Sequence, residues 1–446
     1  MLEVPEEERP QKDMRPRKGD IPSLLALLET TPQDERWAIQ LQLIHAYYDA
    51  DDYPKALEAF RACKDRVPPE QRTEMVLVTA NVMEQYGETD EAVALVNARA
   101  AELEKQGLKG ARDMGRLQLK LAQLVWRQGR LDEAMEHDQM ALAIFAEDKL
   151  SLNDHITVMT NMGMILWEKG DYPMALKFLE QGLAKAEEAG LEERIGNVNN
   201  SLGLVHYQLG NYMQALRHYG AARVHIKDNR SLSIMVENNI GLVHHDMGDY
   251  NIAKIQYEKC LRASDEIENY VGMALAHVNL GLLAIETGDP DEGRDQLEES
   301  LSLCRHMKER WLQALNRTGL ARAYIMKGDL TLARYNAEQA LALGNEMKTK
   351  ETRGMALREL ARTDELEGKI DDAKERFEEC IAIFEPMNNR YELARSLLAL
   401  GMLQAGAGKD PAAGRKNIEK ALSIAKEISA MGIKKWAEEA LATIPA

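Results

Sequence analysis

Residues 238–250 read NNIGLVHHDMGDY, Asn238 to Tyr250, and the second half of that phrase returns along the chain. Its relatives are WEKGDYPMAL (167–176), YQLGNYMQAL (207–216), HDMGDYNIAK (245–254), IETGDPDEGR (285–294), IMKGDLTLAR (325–334) and ELEGKIDDAK (365–374). The glycines set a period. Gly87, Gly129, Gly170, Gly210, Gly248, Gly288, Gly328, Gly368 and Gly408 are spaced by 42, 41, 40, 38 and then four times by 40 residues, and Asp51 opens the series 36 residues before Gly87. A fixed period of this length marks a helical solenoid, in which each unit buries its apolar face against the next.

Three small positions give the unit its physical logic. Seven residues before the turn stand Ala80, Ala122, Gly163, Gly203, Gly241, Gly281, Ala321, Ala361 and Gly401, where a first helix must admit a close neighbour. Five residues after it come Ala56, Ala92, Ala134, Ala175, Ala215, Ala253, Gly293, Ala333 and Ala373, and twelve after it Cys63, Ala141, Gly182, Ala222, Cys260, Ser300, Ala340 and Cys380. Cys63, Cys260 and Cys380 are thereby small packing residues, in keeping with the burial of free thiols, and with Cys304 they form no CxxC pair or disulfide framework. Ile44 and Arg99 break the small pattern in the first two repeats, and the tenth needs one residue inserted after Gly408.

Composition agrees with an all-α chain. The 446 residues are 45% hydrophobic and 29% charged, with 5% aromatics and 22 Met, and strand-like runs are absent. A net charge of −17 argues against a general nucleic-acid binder, which needs a basic surface. No apolar run is long enough to span a bilayer, and MLEVPEEERPQKDMRPRKGD lacks the apolar region of a secretory signal, so no membrane insertion and a cytoplasmic location are expected.

Small residues at these offsets, an aromatic that often follows the Gly-Asp/Asn turn, and an amphipathic helix on each side resemble the tetratricopeptide repeat over roughly residues 34 to 430. The long unit is similar to the variant in kinesin light chains and in Pins/LGN adaptors. The resemblance implies a right-handed superhelical α-solenoid of about ten helix pairs. A disordered tail is expected over residues 1–19, capping helices over 20–33 and 431–446, and the repeats over 34–430.

The histidine pair invites a metal reading, but adjacent helical residues diverge by about 100° and cannot converge on one ion. No HExxH, GxxxxGK[ST], GxSxG or strand-borne GxGxxG occurs, so neither a cofactor nor a catalytic residue is expected. The repeats leave no room for a catalytic domain. Binding remains, and the resemblance places a concave groove along the first helices at their second, fifth, sixth, ninth, twelfth and thirteenth positions, counted from the small eighth.

The twelfth position carries Trp126, Trp167, Tyr207 and His245, which form an aromatic series; packing between helices is the alternative. His244 falls at an inner packing position. The asparagines form a second series, with Asn161, Asn239 and Asn279 at the sixth position, Asn197 at the second, and Asn200 and Asn238 at the fifth. They suit the backbone of an extended peptide or, alternatively, neighbouring helices. NMG, NIG and NLG are similar to the groove-lining NLGN of Pins/LGN, although Met164, Leu242 or Leu282 follows the glycine. Arg322 and Arg362 at the ninth position, Arg358 one turn earlier and Arg395 at the second position of the tenth repeat form a row for carboxylates or phosphates, with local pairing to Glu359, Glu365 or Glu392 as the alternative.

The reading is a scaffold or adaptor that holds an extended or helical partner segment, with acidic residues selected by the C-terminal groove. A ligand-responsive regulator is the first rival, although no DNA-binding helix-turn-helix precedes the repeats. A repeat-based enzyme and a homo-oligomeric assembly part follow it. The sequence does not set an oligomeric state.

Overall fold

The computed structural model describes residues 21–50, 52–147, 151–226, 229–306 and 309–444, so the tail expected over residues 1–19 and the opening Asp51 lie outside the described residues. Among the described residues the regular structure is entirely helical. The contacts form two compact units, Met1–Ile165 and Leu166–Ala446, with their border in the last turn of one helix.

The first unit holds α1 (Ile21–Thr30), α2 (Arg36–Asp49), α3 (Tyr53–Cys63), α4 (Arg72–Tyr86), α5 (Thr89–Lys105), α6 (Arg112–Arg127), α7 (Leu131–Glu147) and most of α8 (Leu152–Glu168). Ile44, at a position the repeat keeps small, is fully buried with Leu43, Leu57 and Phe60. Arg99 is buried at another such position. Its guanidinium donates to Thr73 Oγ1 at 3.2 Å, the Pro69 carbonyl at 3.2 Å and Glu102 at 2.9 Å, held by a connection that makes two 3-10 turns over 64–66 and 69–71. A long polar side chain thus fills the seam by satisfying groups the irregular connection exposes.

The second unit holds α9 (Tyr172–Glu188), α10 (Glu192–Gln208), α11 (Tyr212–His225), α12 (Arg230–Met247), α13 (Tyr250–Glu266), α14 (Tyr270–Glu286), α15 (Pro290–His306), α16 (Arg310–Lys327), α17 (Leu330–Glu346), α18 (Lys350–Leu366), α19 (Ile370–Phe384), α20 (Arg390–Ala405), α21 (Pro411–Glu427) and α22 (Met431–Thr443). Each helix packs on its chain neighbours. From α10 to α22 the even-numbered helices also touch the even helix that follows, while odd helices meet at most weakly. The even helices are therefore crowded onto the inner side of this unit and the odd ones splay outward.

The turn and the seam have separate causes. Gly248 ends α12 at φ 85°, a left-handed conformation that glycine adopts at little cost. Asp171, Asp329 and Asp410 then cap the next helix by accepting from a backbone amide three residues on. In the tenth repeat the left-handed residue is Lys409 at φ 53°, one position after Gly408, which accounts for the inserted residue. At the seam, a Cβ on Gly241 would lie 2.7 Å from the Tyr257 ring.

A polar clasp recurs within repeats. Gln118 meets His137 at 2.7 Å, Asn199 meets His218 at 2.9 Å, His277 meets Gln296 at 2.7 Å, and Arg317 donates to Asn336 at 2.8 Å. Each pair is 19 residues apart and ties the first helix of a unit to its second. All four cysteines are buried.

Candidate functional site

The asparagine series of the second unit lies in the seams between inner helices. Asn239 on α12 donates to Asn200 on α10 at 3.1 Å, and Asn279 on α14 donates to Asn238 on α12 at 2.6 Å. All four are buried. Each sixth-position amide therefore bonds the fifth-position amide of the preceding repeat, which sets the stagger of consecutive inner helices. Asn197 is half-buried on α10.

Along the same face the charged side chains form one network. His245 Nε2 meets Glu286 at 3.0 Å and its Nδ1 meets the Tyr257 hydroxyl at 3.3 Å. Arg322 donates to Glu286 at 3.2 Å, and Arg395 reaches the same carboxylate at 3.9 Å. Burial opposes ionisation of Glu286, but His245, Arg395 and Arg322 outweigh it and hold the carboxyl well below its usual range. Arg358 pairs with Glu392 and, at 3.4 Å, with Glu359, while Arg395 also lies 3.6 Å from Glu392 and stacks over Tyr391.

The arginine row is thus paired with carboxylates of the chain itself, Glu359, Glu365 and Glu392 among them. Arg362 differs from the rest. It bonds Glu365 at 2.7 Å within its own helix yet keeps its side chain 35% exposed, against 5% for Arg358.

Tyr207 and Tyr212 donate their hydroxyls to Asp246 at 2.8 and 3.1 Å. Burial pushes the Asp246 carboxyl up to about 7, with His245 and the two hydroxyls offsetting it only in part. His244, expected at an inner packing position, is instead the more exposed of the two histidines and bonds the Asp249 carboxylate at 3.2 Å. The following turn brings that carboxylate back beside α12, so His244 sits at the helix end while His245 enters the network. Among the described residues no group of three or more His, Cys, Asp or Glu could hold a metal ion.

In the first unit, Trp126 is half-buried against Val125, Ala134 and Ile165. Asn161 on α8 is half-buried, with its amide nitrogen buried and unbonded. Trp167, in the last turn of α8 and just across the border in the second unit, is half-buried and its indole nitrogen is buried without a partner. Glu84 holds both Lys120 at 2.5 Å and Arg127 at 2.6 Å.

Four apolar side chains stand open at groove positions of the inner helices of the second unit. Met235 is 49% exposed, Met326 50%, Leu366 49% and Met402 44%. They stand at the second, thirteenth, thirteenth and ninth positions of their repeats, within the register that defines the groove. Residue type alone does not mark them, because an apolar residue on an amphipathic helix reads as core. The signal was present in the count of positions rather than in residue type.

A family profile described as tetratricopeptide repeat matches residues 113–188, 194–266 and 272–346, together about half of the chain. The chain belongs to the tetratricopeptide repeat family. Its fold is similar to that of the apo form of the quorum sensor NprR from B. thuringiensis, at 14% identity over 80% of this chain and 99% of that one, with a TM-score of 0.56. It is also similar to aspartyl phosphate phosphatase F from Bacillus subtilis (11% identity, 82% and 96% covered, TM-score 0.54). A third similar structure is the Rap conjugation gene regulator of the plasmid pLS20 in complex with a Phr peptide (15% identity, 76% and 96% covered, TM-score 0.53). At these identities the likeness is one of fold. No curated protein gives a significant match.

Proposed function

We propose that the chain is a protein-interaction module that holds a peptide or a segment of another protein on the inner face of its second unit. The observation that carries this reading is the row of exposed Met235, Met326, Leu366 and Met402 along inner helices whose remaining polar groups are largely bonded to one another. Methionine is unbranched and adapts to different surfaces, which suits contact with a partner segment. The peptide carried by the Rap regulator of similar fold supports a ligand of this class. We read the chain as binding rather than catalysing, acting in the cytoplasm as a scaffold or adaptor; no helix among the described residues is long and apolar enough to cross a membrane.

The finer reading assigns acidic residues on the partner to Arg362, whose side chain is about a third exposed, while Arg322, Arg358 and Arg395 would accept them only by exchange with Glu286 and Glu392. In this account the buried asparagines and His245 support the face and do not touch the ligand. Trp167 and Asn197 are candidate contacts in the second unit, Trp126 and Asn161 are candidate contacts of the first unit taken by itself, and α1 and α22 act as caps.

A peptide-responsive regulator is the second reading, favoured by contacts within the second unit between distant repeats. The Tyr172 hydroxyl donates to the Met387 carbonyl at 2.8 Å, and Arg395 reaches Glu286. A ligand entering the face would compete with such ties.

Selection from a random peptide display library against the full chain tests the proposal. Recovered peptides should bind the wild type and lose about ten-fold or more on a Met326→Ser/Leu366→Ser/Met402→Ser variant that keeps its helicity. Equal binding to both proteins would refute it. A change in hydrodynamic size on peptide binding would favour the regulator, and an unchanged size the scaffold.

A further inference from the structure

The second unit holds a partly open cavity of about 80 Å³ between early and late repeats. Tyr207, Tyr212 and Asp246, from α10 to α12, line one side; Glu351, Asn389 and Tyr391, from α18 and the start of α20, line the other. Ile428, packed against Gly210, helps to close it.

The charges around this volume do not balance. Of the lining groups, Glu392 is engaged by Arg358 and Arg395, and Arg390 by Glu427. Asp246 receives only the hydroxyls of Tyr207 and Tyr212, and Glu351 only the Asn389 amide at 2.9 Å. Among the described residues no cationic side chain bonds either carboxylate. Two carboxylates and three tyrosines therefore line one pocket, open to solvent at Glu351, and aromatic rings together with carboxylates form the environment that stabilises an organic cation.

We propose that this cavity is an anchor site for one cationic group, an ammonium or a guanidinium, of the segment held on the inner face. The proposal rests on the reading that the second unit binds such a segment. The size fits a single group, because sites for whole small molecules run to about 300 Å³ or more. The elevated Asp246 carboxyl agrees with it. Burial, the largest influence there, is opposed only by His245, which Glu286 already engages, and by neutral donors, so a docking cation would supply the missing charge.

The full chain with ¹³C-labelled tyrosine rings would be titrated with methylguanidinium and with n-butylammonium, using acetate and n-butanol as controls. Ring signals of Tyr207, Tyr212 and Tyr391 should shift saturably with at least one cation and with neither control. Glu351→Gln, at a position on the exposed end of α18, and Asp246→Asn should each weaken that response about ten-fold or more. Absence of a saturable response, an equal response to acetate, or an undiminished response in a folded Glu351→Gln protein would overturn the proposal. Display-selected peptides that still require Met326, Leu366 and Met402 while no cation shifts the tyrosines would remove the anchor and leave the groove reading standing. Peptides that bind independently of those side chains would remove the groove reading whatever the tyrosines show.

Discussion

Asp138 stands nine residues after Gly129, on α7. The same place in other repeats holds Val96, Leu179, Tyr219, Tyr257, Leu297, Ala337 and Phe377, all fully buried. Asp138 is as buried as they are, and its carboxylate makes no hydrogen bond of normal geometry, with the buried Asn161 amide beside it. Burial pushes its pKa up to about 8, with the neighbouring Asn161 amide offsetting this only in part. An unfolded aspartate titrates near 3.9. Between these values the folded chain keeps a proton that the unfolded chain has lost, so the contribution of Asp138 to stability is most favourable below pH 4 and is lost as pH rises toward 8.

At pH 7 the shift corresponds to about 4 kcal/mol lost relative to pH 4, an order-of-magnitude figure. Asp138→Leu keeps the heavy-atom count and restores the residue type of Leu179 and Leu297. It should therefore stabilise the first unit, by a margin that is small at pH 4 and grows steadily to pH 8. Amide exchange of peptides from α6, α7 and α8 in the full chain reads this unit directly, which a global melting temperature in a repeat protein does not. A margin independent of pH, or faster exchange in the variant at pH 8, would refute the reasoning.

Gly241→Ala should lower the melting temperature, by a packing cost of about 1–3 kcal/mol, because the new methyl meets the Tyr257 ring; an unchanged melting temperature would count against the seam. His218 is driven down to about 4 by burial, then by His206 and Arg217. Because its folded pKa lies below its unfolded one, its contribution is present above pH 6.5 and is lost as pH falls toward 4, so protection of α10 and α11 should decline over that range less steeply in His218→Gln. Glu286→Gln strips the carboxylate shared by His245, Arg322 and Arg395 and should cost about 3–5 kcal/mol, seen as faster exchange in α12, α14, α16 and α20.

Periodicity made neighbours legible. The glycine spacing set the helix pairs and the small offsets set the seams, and both are local properties repeated about every 40 residues. The asparagines were visible as a series, but the choice between ligand and neighbour depends on the sideways stagger of α10, α12 and α14, and that stagger is itself made by the Asn200–Asn239 and Asn238–Asn279 bonds. The arginines posed the same problem. Glu359, Glu365 and Glu392 could be named from the chain, whereas Glu286 meets Arg395 across a gap that is no multiple of the repeat. The contact of Tyr172 with Met387, separated by 215 residues, is hidden for the same reason. Asp138 is legible in principle, since it breaks an apolar column nine residues after the turn, a place outside the small offsets that define the repeat.

Methionine methyl resonances test the central claim most directly, because the chain's 22 methionines report from both faces. With a display-selected peptide bound, the methyl signals of Met235, Met326 and Met402 should shift, while those of the still more exposed Met140, in the first unit, and Met213, on the outer α11, should not. Shifts confined to Met140 or Met213, with the three inner methyls unmoved, would contradict the account.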